Sequence, residues 1–206
     1  MQLSSKSLVP GQAIAATNAM GVPGPDGPVP GPNKSPHLAW SGVPASARSF
    51  AVIAVDADAP TRADDVNKPD RTVPYDLPRA DFVHWVLVDI PISVSELSEG
   101  LDATGLTAKG KAPGRTPHGV RGLNDYTSWF ASDPDMAGKY AGYDGPWPPF
   151  NDERRHHYTF TVYALDVESL GLADGFGRAE VLKAIEGHVV AQESITCWYA
   201  INPNAK

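Results

Sequence analysis

"GPWPPFNDERRHHYTFTVYAL", Gly145 to Leu165, is the stretch on which the fold turns. Its second half runs on into "HYTFTVYALDV", His157 to Val167, where threonine alternates with apolar residues. That period of two is the mark of a β-strand. The first half crowds a glycine, three prolines and two adjacent histidines into the mouth of that strand. A turn needs far less. Gly145 permits close approach of backbone to a ligand, and Pro146, Pro148 and Pro149 would stiffen a rim and so lower the ordering cost of binding. His156 and Tyr158 lie two apart, so both can face one cavity, each with a donor to offer. A Pro-rich turn beside a solvated "ERRHH" run fits the same residues, and this stretch alone leaves both readings open.

Outward from here, further strands follow. "SFAVIAVDADAP" (Ser49 to Pro60) and "DFVHWVLVDIP" (Asp81 to Pro91) are rich in β-branched and apolar residues and are each closed by proline. Neither alternates cleanly, as expected where both faces of a sheet are covered. "HLAWSGVP" and the late "SITCWYAIN" read as further strands. "GRAEVLKAIEGHVVAQESI" is the one amphipathic helix, with Val181, Leu182, Ile185 and Val189 at helical spacing. Gly21 to Pro36 is too rich in Pro and Gly for regular structure and reads as a surface loop. Lys109 to Gly145 is a long irregular segment, either functional or hiding short elements. Together these predict one mainly β domain over 1–206, a sandwich of two sheets.

Composition narrows the function. The 206 residues are 42% hydrophobic and carry a formal charge of −7. The core is sufficient, and the balance disfavours nucleic acid, whose partners are basic. A local anion site remains compatible with that charge. The single cysteine, Cys197, cannot form an internal disulfide. No apolar run approaches a membrane span, and the start "MQLSSKSLVPGQ" lacks a signal-peptide core, so a cytoplasmic protein without stable membrane insertion is expected.

Two more candidates stand out. Asp56 and Asp58 share one side of a continuing strand, where like charges repel unless a cation intervenes; Asp58 capping a turn while Asp56 is solvated is the plainer reading. His84 alternates with Phe82, Val86 and Val88 onto one layer and must find partners there.

"DADAP", "HWVLVDIP" and "GYDGPWPPFNDERRHHYTFTVYAL", in this order, resemble the phosphatidylethanolamine-binding protein family, in its bacterial and archaeal Raf-kinase-inhibitor-like branch. "NKSPHLAWSGVPASARSFAVI", "GLNDY" and "EGHVVAQ" support the match, which runs from about Ser35 to Gln192. The resemblance implies a two-sheet antiparallel Greek-key β-sandwich with a few peripheral helices and a small anion pocket at one end. It implies that Asp56, His84, Gly145, Pro146, His156 and Tyr158 line that pocket. Three departures matter: Ala57 stands for a proline, Trp147 for a smaller residue, and His157 for an arginine.

The expected function is therefore a binding module for a phosphate-bearing small molecule or phospholipid head group, without cofactor and without catalysis. The resemblance also implies regulation of a kinase or phosphoprotein, and a homodimer to which Trp129, Phe130 and Tyr140 could contribute. The alternative is a metal-dependent hydrolase or oxygenase using His84, His156 and Asp56 as a two-histidine, one-carboxylate set. Nucleophilic catalysis by Ser128, Ser132 or Ser194 lacks a nucleophile elbow, and Cys197 sits in a strand where an inert thiol is the rule.

Overall fold

The computed structural model describes residues 1–206. Its long strands are those the apolar runs predict: β5 (Ser49–Pro60), β6 (Arg79–Pro91) and β10 (His156–Leu165). Around them lie β1 (Gln2–Ser4), β2 (Gly21–Val22), β3 (Val29–Pro30), β4 (Leu38–Ser41), β7 (Glu96–Leu97), β8 (Gly114–Thr116), β9 (Gly119–Arg121) and β11 (Val189–Tyr199). Two short helices complete the chain, α1 (Tyr126–Trp129) and α2 (Arg178–Ala184). The main sheet has six strands in the order β11-β10-β5-β6-β9-β8, and a second has the order β1-β4-β7. Every ladder in both is antiparallel.

Both faces of the six-stranded sheet are covered, which is why β5 shows no alternation in sequence. On one face Phe50, Val52, Trp85, Leu87 and Phe160 pack with Leu38, Trp40 and Leu97 of the smaller sheet. On the other, Ala51, Ile53, Val86 and Val88 meet Val181 and Ile185 at α2. The largest apolar side chains thus gather between the two sheets, where burial contributes most.

Several elements differ from the sequence reading. The helix stops at Ala184, and Gly187, with φ +78°, turns the chain into β11 at Val189. Val189 is therefore the first residue of an edge strand and not the last of a helical stripe. The segment 109–145 holds the β8–β9 hairpin and α1, the short elements its length suggested. The Gly21–Pro36 loop contains the two-residue β2–β3 ladder and buries Asn33 and Ser35. Tyr140 is buried with Met20 and Tyr126, so it is no contact surface, whereas Trp129 is about half exposed at 47%. Cys197 is buried, as its strand position implied. No helix is long and apolar enough to cross a membrane.

Candidate functional site

Three neighbouring strands carry the polar residues of one cavity. Asp56 on β5 faces Tyr158 on β10 in one ladder and Phe82 on β6 in the other. Beyond Phe82 the pleat of β6 breaks. Val83 faces Val55 and Trp85 faces Ala54, which leaves His84 as the extra residue of a β-bulge. A bulge re-aims side chains. Val86 and Val88 accordingly pack on the α2 side of the sheet, while the His84 ring lies 5.2 Å from that of Tyr158 and 5.1 Å from that of Phe82. Unbroken alternation had placed all of these in one layer.

The cavity has a volume of about 420 Å³, and Asp56, His84, His156 and Tyr158 all line it. Gly145 and Pro146 do not. They stand behind the wall: Gly145 N donates to Asn33 Oδ1 at 2.8 Å, and the Pro146 carbonyl accepts from Met20 N and Gly21 N at 3.0 Å. A methyl group on Gly145 would come within 2.2 Å of the Asn18 carbonyl, so glycine serves packing there and leaves no room toward a ligand. The wall itself is Trp147, Pro148, Pro149 and Phe150, faced by Phe82, Trp129 and Phe130. The Trp147 ring lies flat against Gly21, where any Cβ would meet it at 2.2 Å. Pro28 of the N-terminal loop reaches the cavity, and no residue of 109–119 does.

The two histidines differ sharply. His84 Nδ1 donates to the Asp144 carbonyl at 2.7 Å, and Asp144 N returns a bond to the His84 carbonyl at 2.9 Å. Asp144 is itself held by Asn33, Lys111 and Asn124 at 2.8–3.0 Å. This fixes the tautomer: Nε2 is the free atom of His84 and has no protein partner. Burial pushes the His84 pKa down despite the pull of Asp56, so the ring is neutral and Nε2 is an acceptor.

His156 has no free nitrogen. Nδ1 donates to Asp56 Oδ2 at 2.7 Å and Nε2 to Asp152 Oδ2 at 3.1 Å. Burial works against its charge, but the Asp56 and Asp152 carboxylates outweigh it and push its pKa up to about 9. The expectation that this ring donates directly to a ligand is corrected accordingly. Its neighbour His157 points the other way, donating to Asp58, and is more than half exposed. Of the two adjacent histidines it is thus His156 that lines the cavity, as spacing to Tyr158 required.

Asp58 and Asp56 part company too. Asp58 is buried against its charge, yet His157 and Arg154 hold its pKa below the usual value. Asp56 is buried at 3% exposure, against the plainer reading of a solvated strand end, and its Oδ1 accepts from Asp58 N at 2.7 Å. The Tyr158 hydroxyl is buried and makes no well-formed hydrogen bond, although the Asp56 carboxylate lies near enough to act on it. Burial, then the Asp56 charge, keep it protonated. The floor therefore offers one unused donor, Tyr158 Oη, and one unused acceptor, His84 Nε2, above a carboxylate whose charge His156 offsets.

Metal ligation finds no support. Both nitrogens of His156 are bound to carboxylates, and no group of three or more His, Cys, Asp or Glu is placed to hold an ion. Ser128, Ser132, Ser194 and Cys197 all lie off the cavity. Sequence reasoning passed over Asp144, Asp152 and Arg79; only the acidic residues flanking the Pro-rich loop hinted at them.

Comparison with known proteins follows the same lines. The family model for "Phosphatidylethanolamine-binding protein" matches residues 4–200. A UPF0098 protein of Methanothermobacter thermautotrophicus is 34% identical over 82% of this chain and 84% of its own. The UPF0098 protein YbhB of Escherichia coli is 33% identical over 97% of this chain and all of its own. The crystal structure of E. coli YbcL, described as a new member of the mammalian PEBP family, superimposes with a TM-score of 0.68 at 29% identity, covering 98% of both chains.

Proposed function

The chain belongs to the phosphatidylethanolamine-binding protein family, and on that footing we propose that it is a binding module for a small oxyacid group. The ligand class is a phosphate-bearing small molecule or a phospholipid head group. The observation that carries this reading is the pairing of a free acceptor, His84 Nε2, with an unpartnered hydroxyl, Tyr158 Oη, at the floor of one cavity. A buried hydroxyl without a partner is a cost that a ligand oxygen would remove.

The chemistry follows from the proton count. Neutral His84 accepts from a protonated ligand oxygen, or takes up a proton and donates to a bare one. Either way the complex holds one proton between Nε2 and the ligand, in a charge-assisted bond. Tyr158 donates to a second oxygen. The apolar wall of Trp147, Pro149 and Phe150 receives the rest of the molecule. The site binds without reacting: it has no nucleophile, and its carboxylates are committed to partners. A phosphorylated side chain of a partner protein would compete for the same floor, the route by which a kinase or phosphoprotein would be regulated.

Titration with inorganic phosphate, followed by NMR of the imidazole nitrogens, tests the reading. The His84 resonances move on binding, and His84→Ala abolishes saturation. A flat titration of the native protein overturns it.

A further inference from the structure

His156 carries a carboxylate on each ring nitrogen, Asp56 at 2.7 Å and Asp152 at 3.1 Å. An imidazole that donates from both nitrogens is an imidazolium. Asp152 is in turn gripped by Arg79 with two prongs, Nη1 to Oδ2 at 2.6 Å and Nη2 to Oδ1 at 3.0 Å. Only 1% of the His156 and Asp152 side chains and 5% of that of Arg79 is exposed. Four charges alternate in a row leading away from the cavity: Asp56, His156, Asp152, Arg79.

We propose that Asp152, fixed by Arg79, is a positioning residue of the oxyacid site: it holds His156 as a lasting cation against Asp56, and so lets a negatively charged ligand sit beside a carboxylate. The inference rests on the anion-binding reading and explains how that reading survives an aspartate on the cavity floor. Bare, Asp56 would repel the oxygens that His84 and Tyr158 attract. One carboxylate alone would leave His156 exposed to the opposing pull of burial, which favours the neutral ring. The second carboxylate turns the balance, and the bidentate arginine keeps that carboxylate from swinging away.

The charged and titratable groups around His156 come from several elements, with neutral His84 across the same cavity. Asp56 faces it from β5, Asp152 from the loop before β10, and Arg79 from β6 behind Asp152. Tyr199 lies opposite it on β11, and Tyr158 follows on its own strand, both held protonated by burial. The resulting pKa of about 9 leaves His156 charged at neutral pH.

The test compares the native protein with Asp152→Asn and Asp152→Glu, titrated with inorganic phosphate at about pH 8 while nitrogen NMR follows His156. Asp152→Asn is expected to lose about tenfold in phosphate affinity, the worth of one pKa unit at the neighbouring imidazole. Its His156 loses the proton at lower pH than in the native protein, and Asp152→Glu restores both. A merely structural role would weaken binding without moving that titration. The proposal fails if Asp152→Asn binds phosphate at native strength with a neutral His156, or if His156 stays cationic without Asp152. Should Asp152→Asn not fold, the native protein decides: its phosphate affinity drops more steeply once pH passes the His156 titration near 9, and an affinity indifferent to that titration overturns the role. Absence of phosphate binding by the native protein at any pH defeats the anion-site reading, and this inference with it; the other outcomes strike only the role of Asp152.

Discussion

His156 Nδ1 lies 2.7 Å from Asp56 Oδ2, although the two residues are 100 positions apart. The contact joins β10 to β5 just beyond the Asp56–Tyr158 pair of their ladder, so one bond both closes the sheet end and sets the charge of the cavity floor. Under the proposed function, binding and folding are coupled at this point, and the expected behaviour of variants follows from that.

Binding of a phosphate monoester should take up a proton. His84 is neutral in the free protein because burial lowers its pKa. Above about pH 8, where the free monoester is a bare dianion, affinity is expected to fall about tenfold per pH unit. Calorimetry in buffers of different ionisation enthalpy measures the proton directly. Affinity independent of pH, with no proton uptake, rules the mechanism out.

Stability should decline toward alkaline pH. The folded pKa of His156, about 9, lies above its ordinary 6.5. Its contribution is therefore complete below 6.5 and lost as pH rises through 9. At about 1.4 kcal/mol per unit, the loss amounts to a few kcal/mol. Asp152 acts in the opposite direction: burial opposes its charge, but His156 and Arg79 lower its pKa, so its contribution disappears in acid, below its ordinary 3.8. Urea midpoints measured across pH should trace a plateau bounded on both sides. A flat alkaline limb contradicts the ion pair.

Tyr158→Phe should separate stability from binding. The hydroxyl is buried and unpartnered, so its removal should leave stability unchanged or raise it by about 1 kcal/mol. Phosphate affinity falls about tenfold, since a donor to a charged ligand is gone. A variant that is both less stable and an undiminished binder would show that the hydroxyl points elsewhere.

Gly145→Ala should destabilise. The new Cβ would meet the Asn18 carbonyl at 2.2 Å and the Tyr143 hydroxyl at 2.9 Å, and both are fixed by packing. Overpacking of this kind costs about 1–3 kcal/mol. The thermal midpoint should drop by several degrees. An unchanged midpoint would show that this contact yields.

The sheet was legible because β5, β6 and β10 are long apolar runs with clear stops, and the layer between the sheets follows from their large side chains. Asp56, His84, His156 and Tyr158 were legible as cavity residues only through the family resemblance of the motifs that carry them. Their roles were not. Alternation assumes an unbroken pleat, and the bulge at His84 inverts it. A histidine's partners lie across the sheet, so nothing along the chain distinguishes the free nitrogen of His84 from the doubly bound ring of His156. The β11 start was hidden because Val189 continues a helical spacing that Gly187 interrupts by backbone conformation alone. Gly145 and Pro146 were credited with facing a ligand, because a residue that admits close approach does so toward protein as readily as toward anything else.

The polar floor of the cavity is anchored in three adjacent strands, whereas Trp147, Phe150, Val66 and Pro28 come from connecting segments. Such segments tolerate replacement far better than paired strands do. Under the proposed function, swapping one rim segment for another would thus change which molecules fit above the floor while leaving the proton chemistry beneath untouched, so such a scaffold would acquire new ligands without relearning how to hold an acid.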